Sequence, residues 1–283
     1  MSSLSERAIL VRVVECMNGV FKYDDQARDK LAKAGNAESE SLSVTKRMWP
    51  KKEIDNLKNL ISSARSLHRK MTLPWNDVGY RLLPNNKFFE FVTGMTKIRN
   101  EFIGARMGFK ENFALYKNEG LRRMGEYADP SIYPADADSI DKMFQLDIMI
   151  RPCPESNDIR VDLPAEVLAE LRKQSDDQIK HDVTDAVKEV WSRFSKVISH
   201  MVDKLDNGDP RYYRESLLDN VMNLVKTIPS YNLTDDQELE QTRKDVEQAL
   251  SSVKSIDDVK DNEQLRRDTV DKLTKLMDKF PQL

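Results

Sequence analysis

Residues 183–201, VTDAVKEVWSRFSKVISHM, carry Val183, Val187, Val190, Phe194, Val197 and Met201 at spacings of 4, 3, 4, 3 and 4. Alternating threes and fours mark one face of an α-helix, sustained enough to resemble a coiled-coil seam. Pro164 suits a first helical turn, and Asn207-Gly208-Asp209-Pro210 is a stop signal. The spacing therefore predicts one helix from Pro164 to about Leu205. At 1.5 Å per residue it would run for roughly 60 Å, which implies an elongated molecule.

Upstream, Ile54, Leu57, Ile61, Ala64, Leu67 and Met71 form one helical face after Trp49-Pro50. Phe91, Met95, Ile98, Phe102, Phe109, Phe113 and Tyr116 make a longer seam, predicting a helix from about Lys87 to Tyr127. Gly94, Gly104, Gly108 and Gly120 interrupt it, weakening the helix but permitting close approach of a neighbour. Ile9, Leu10, Val13, Val14, Met17 and Phe21 predict a first helix over 4–34, and the polar, aperiodic stretch 34–47 a linker. Shorter helices follow at about 211–228, 235–255 and 261–280.

One region has period two. Phe144, Leu146, Ile148 and Ile150 alternate with polar or flexible residues. After a turn-rich connection, Ile159, Val161 and Leu163 do the same. This predicts a β-hairpin over 144–163 that needs cover from helices or another chain. The fold class expected is mainly α: an elongated bundle of long coiled-coil-like helices with one small β-hairpin. Three segments follow: an N-terminal helix and flexible linker (1–47), a helical core with the hairpin (48–206), and a C-terminal helical subdomain (207–283).

The chain has 283 residues, 39% hydrophobic and 33% charged, with net charge -3. Residues 1–127 hold 23 Lys and Arg against 15 Asp and Glu, a net +8. Residues 128–283 hold 22 against 33, a net -11. Unlike ends favour head-to-tail association, an anion-binding front half, or mutual neutralisation inside one fold. Cys16 and Cys153 stand in no paired motif, which fits a reducing compartment. No window holds about 18 consecutive apolar residues, and MSSLSERAILVRVVECM has charges inside its apolar stretch. A cytoplasmic protein without a membrane span is expected.

No glycine-rich phosphate loop occurs, and the glycines of the third helix sit in a helical period. His68, His181 and His200 are scattered and lack a second ligand at metal-site spacing. Asp136, Asp138 and Asp141 resemble half a calcium loop, but the central glycine and terminal glutamate are missing, so helix capping explains them better. Cys153 has no neighbour in sequence to lower its pKa. No catalytic residue, metal site or cofactor is expected.

Two surfaces remain. The segment 72–86, TLPWNDVGYRLLPNN, offers Trp75, Tyr80, Arg81, Leu82 and Leu83 as a partner-docking knob, or as a packed corner between helices, which is the default. The helices 51–71 and 87–124 carry Arg65, Arg69, Lys70, Lys97, Arg106, Lys110, Lys117, Arg122 and Arg123. A basic helical face can track phosphates by charge, although glutamates are interleaved and the pI is about 5.8.

The order HRKMTLPWNDVGYRLLPNNKFFEF, a long helix ending in YKN, a YP loop, FQLDIMIRPCP, DIRVDLP and another long helix resembles a family of uncharacterised phage and bacterial proteins, a domain of unknown function. The likeness covers about residues 5–205. Genes of that family often lie near MoxR-type ATPases and von Willebrand A-like proteins, so the resemblance implies an AAA-type ATPase as a partner and the host cytoplasm as the location of a phage-encoded chain. It lends no catalytic residues. The expected function is a non-enzymatic, self-associating phage protein that forms a ring or filament. The alternative is a nucleic-acid-binding accessory protein using the basic helices.

Overall fold

The computed structural model describes residues 4–75 and 79–281. Of these, 69% are helical, and the strands form a four-stranded antiparallel sheet plus a two-stranded ribbon. The first elements are α1 (Leu4–Arg7), β1 (Ala8–Met17), β2 (Phe21–Tyr23), α2 (Asp25–Gly35) and β3 (Thr45–Arg47). The stretch expected as one helix over 4–34 is therefore divided, with strand over 8–17 and 21–23 and helix only at its two ends. Ile9, Val11, Val13 and Val14 are β-branched, lose rotamer freedom in a helix and pack well on a pleated surface. The expected linker 34–47 ends in β3, which pairs with β2 in the register Phe21 with Arg47 and Tyr23 with Thr45.

Next come α3 (Lys51–Met71), β4 (Leu73–Pro74), β5 (Arg81–Pro84), α4 (Phe88–Glu111), α5 (Phe113–Met124) and α6 (Ile140–Met143). The third predicted helix is thus broken at Asn112. The rest are β6 (Phe144–Pro152), α7 (Ala165–Asn207), α8 (Ser216–Tyr231), α9 (Gln237–Ala249), α10 (Ile256–Asp261) and α11 (Glu263–Met277). The 43-residue α7 follows Pro164, which suits an N-terminal boundary. The sheet order is β4-β5-β1-β6.

The expected hairpin does not form. Its first arm is β6, but β6 lies beside β1, while 159–163 joins no ladder. An isolated two-stranded hairpin is marginal, whereas joining an existing sheet adds ladder bonds and core contacts together. The outcome is a helix–sheet mixture rather than a pure coiled-coil bundle.

The chain forms two units, each discontinuous in sequence. Unit 1 comprises Met1–Val11, Thr72–Phe88 and Ile150–Leu283; unit 2 comprises Arg12–Met71 and Phe89–Met149. The three sequence segments instead divide the chain at single points.

Unit 1 is built on aliphatic ridges. Val190, Phe194, Ile198, Met201 and Leu205 of α7 are buried with Val221, Val225 and Ile228 of α8, Leu239 and Val246 of α9, and Leu273 of α11. Trp191, Phe194 and Phe280 form one aromatic group, with Phe194 and Phe280 stacked at 5.5 Å. The Tyr213 hydroxyl donates to the carbonyls of Leu205 (3.0 Å) and Gly208 (3.1 Å), satisfying acceptors at the end of α7. Asp236 caps α9 by accepting from the amides of Glu238 and Leu239.

Unit 2 is built around rings. Trp49 meets Phe109 edge-on at 5.2 Å and Tyr133 at 4.9 Å, and Phe109 meets Phe144 at 5.3 Å. Trp49 Nε1 donates to the Gly19 carbonyl at 2.8 Å, and the Tyr133 hydroxyl to the Met48 carbonyl at 2.5 Å. Phe91, Met95 and Phe102 of α4 are buried with Ile54, Leu57 and Ile61 of α3. Two of the four interrupting glycines permit close approach. A Cβ on Gly94 would sit 2.9 Å from Leu67 Cδ2, and one on Gly120 would sit 2.2 Å from the Met48 carbonyl oxygen.

Candidate interaction surfaces

Three of the five residues offered as a docking knob are buried. Leu82 and Leu83 lie in β5 opposite Leu10 and Ile9, and both are buried, as is Tyr80. Trp75 is half-buried. Arg81 Nε donates to Thr72 Oγ1 at 2.8 Å, and the Arg151 guanidinium lies 4.7 Å from the centre of the Tyr80 ring. A segment with two adjacent leucines, one to each face of the strand, gains more by completing a sheet than by exposing its apolar side chains. Residues 76–78 of the expected knob lie outside the described residues.

The basic helical face is largely engaged within unit 2. Arg65 pairs with Glu15, and Arg123 with Glu119. Arg106 pairs with Asp141 at 3.1 Å and donates to the Phe144 carbonyl at 3.1 Å. Lys110 bridges Asp138 (2.9 Å) and Asp141 (2.5 Å). The hydrogen bond from Lys110 holds the Asp141 carboxyl below the ordinary carboxylate range, against an opposing push from burial. Lys117 lies 5.8 Å from the centre of the Tyr133 ring. Arg69, Lys70, Lys97 and Arg122 are exposed. These ion pairs reduce the positive field that the sequence suggested.

The aspartate cluster resolves in the same way. Asp136 accepts from the Ser139 amide and hydroxyl at 2.9 Å, so it caps a short turn, while Asp138 and Asp141 pair with Lys110. Among the described residues no group of His, Cys, Asp and Glu is arranged to hold a metal. His68 is buried, with its ring 6.3 Å from Phe91, and His181 lies 3.5 Å from Asp185. The Cys153 thiol donates to the Ala8 carbonyl at 3.2 Å, and burial pushes its pKa up to about 12, which makes it a poor nucleophile at neutral pH. Among the described residues no helix is long and apolar enough to cross a membrane.

Two surfaces were not identified as a pair from the sequence. The first, in unit 1, is the run from the irregular chain before Pro164 into α7, where Val161 (53%), Leu163 (42%) and Val167 (47%) stand exposed. The second is the β2–β3 ribbon of unit 2. Residues two apart on a strand share a face, so Phe21 and Tyr23 point the same way, 44% and 77% exposed. Their cross-strand neighbours are Arg47 and Thr45. The Arg47 guanidinium and the Lys58 ammonium lie 5.4 and 5.1 Å from the centre of the Phe21 ring. Lys46 points to the other side and pairs with buried Asp24 at 3.0 Å.

No family model, no curated protein and no solved structure matches this chain.

Beside the ribbon lies an open cavity of about 540 Å³, lined by Leu31, Val44, Met124 and Tyr127 with the Asp24–Lys46 pair at its edge. Asp24 accepts from the Ala27 amide at 3.1 Å as the cap of α2. Burial pushes its carboxyl up, but the Ala27 hydrogen bond and Lys46 outweigh that and hold it low. The pattern that could have exposed the ribbon was short: Phe21-Lys22-Tyr23 alternates for only three residues, below the length at which period two separates strand from helix.

Proposed function

We propose that the chain is a non-enzymatic component that associates with further copies of itself, head to tail, through the exposed strip Val161, Leu163 and Val167. The observation that supports this is the strip itself: three apolar side chains within seven residues, each roughly half exposed, two on chain that joins no strand ladder and one in the first turn of α7. Most residues of the seams of α3, α4 and the second half of α7 are buried or half-buried.

Charge suggests the orientation. Unit 1 carries 24 Lys and Arg against 30 Asp and Glu, a net -6; unit 2 carries 21 against 18, a net +3. The acidic unit of one copy against the basic unit of the next is complementary, and such a contact repeats into a ring or filament. Covering the three half-exposed side chains contributes about 2–4 kcal/mol. Association costs at least about 4 kcal/mol. The strip alone is therefore marginal, and the assembly is weak and concentration-dependent. The resemblance to phage proteins belongs to the same proposal, and the AAA-type ATPase partner rests on that resemblance with no residue assigned to it.

Sedimentation velocity over a wide concentration range tests the reading. The protein is expected to shift to larger species as concentration rises, and Val161→Asp with Leu163→Asp is expected to remain monomeric with unchanged circular dichroism. A protein that stays monomeric throughout, or a double variant that assembles like the parent, overturns it.

A further inference from the structure

We propose that the exposed face of the β2–β3 ribbon binds single-stranded nucleic acid, with Phe21 and Tyr23 stacking on bases and Arg47 and Lys58 holding phosphates. This surface is separate from the apolar strip of unit 1, and Lys58 is the α3 residue that it takes in. The face has the two components that such binding requires, aromatic platforms and a cationic border.

Spacing supports the aromatic part. Phe21 and Tyr23 are two residues apart on one strand, which separates their Cα atoms by about 6.8 Å. That is about twice the 3.4 Å stacked rise of a duplex strand, and it suits bases drawn apart along an extended single strand. Tyr23 is the more exposed of the two rings and is the main platform. The Arg47 and Lys58 cations already lie over the Phe21 ring, so a base stacks on Phe21 only where they leave a face open, with their charges directed to the adjacent phosphates.

Charge complementarity selects the occupant. Residues 41–52, SLSVTKRMWPKK, contain Lys46, Arg47, Lys51 and Lys52 and no carboxylate. Lys46 is committed to Asp24, and Lys51 to Asp55 at 2.6 Å. Arg47, Lys52 and Lys58 are exposed on or around this face, whereas Lys22, opposite Lys46, belongs to the other face. A duplex keeps its bases stacked inside and cannot offer them to two exposed rings, so the single strand is the form that uses both components. With few cations involved, binding is modest and weakens steeply with salt.

The test is fluorescence anisotropy of labelled oligothymidylate and oligouridylate at low and moderate salt, with a duplex and polyglutamate as competitors. Oligothymidylate or oligouridylate is expected to bind at low salt. Tyr23→Ala is expected to weaken binding roughly ten-fold, Tyr23→Phe to restore it, and Arg47→Ala with Lys58→Ala to flatten the salt dependence. Tyr23 lies at the surface, so its loss leaves the fold intact, and circular dichroism confirms that. The proposal is overturned by no binding of either single strand at low salt, by equal binding of Tyr23→Ala and the parent, or by polyglutamate or duplex competing as well as the single strand.

Discussion

The two units solve the same packing problem with different materials. Unit 1 stacks aliphatic ridges of α7, α8, α9 and α11, elements that follow one another along the chain. Unit 2 gathers Trp49, Phe109, Phe113, Tyr133 and Phe144 from the turn before α3, from α4, α5 and β6, and from a loop. Ridges are written locally, every three or four residues, and each helix announces its own apolar face. A ring cluster is written nowhere in particular, because its members come from segments up to about a hundred residues apart. Local periodicity therefore predicts the first kind of core far better than the second.

The largest test of that contrast is a pair of deletions. Trp49→Ala and Phe194→Ala each remove a large buried side chain, which costs about 3–5 kcal/mol. Trp49→Ala is expected at the upper end, because it also removes the hydrogen bond to Gly19 and three ring partners. Urea denaturation of both variants reads the difference, and a smaller loss for Trp49→Ala would break the contrast. Gly120→Ala sharpens it at lower cost. Its Cβ would be driven against the Met48 carbonyl oxygen and the Tyr133 hydroxyl, at the edge of the ring cluster, so a loss of about 1–3 kcal/mol is expected. An unchanged urea midpoint would mean that the ring cluster yields more easily than its geometry implies.

The smallest effect is electrostatic. Asp141 has its pKa lowered in unit 2 by the Lys110 hydrogen bond. A carboxyl lowered in the folded state contributes stability that is complete above its ordinary value of about 4 and is lost as pH falls through the lower folded value. The pair is partly exposed, so solvent screening holds the contribution under about 1 kcal/mol. Asp141→Asn is expected to lower the urea midpoint at neutral pH and to match the parent at strongly acid pH. A deficit of the same size at both pH values would assign the loss to packing.

How much was legible follows from the same contrast. The seam of α7, its start after Pro164 and its stop near Gly208 were readable within one or two residues, because caps and period are local. The strand β1 was not, since Ile9, Leu10, Val13 and Val14 also fall on one side of a helix, and only pairing with β5 distinguishes the two. The hairpin over 144–163 failed for a related reason: alternation predicts an extended strand but does not name its partner, and β1 took that place. Arg65, Arg106 and Lys110 looked available for phosphate because Glu15 and Asp141 lie 50 and 31–35 residues away in sequence. Tyr23 was hidden in a three-residue strand.

By itself the sequence determined that helix predominates, the ends of α3 and α7 and the lack of any compact phosphate-loop or zinc-type motif, all of which depend on residues within a few positions of one another. Only the tertiary structure decided which strands pair, which cations keep their charge for a partner, and which apolar side chains reach the surface. Those outcomes depend on neighbours distant along the chain, and a side chain's spacing carries no record of what will be folded against it.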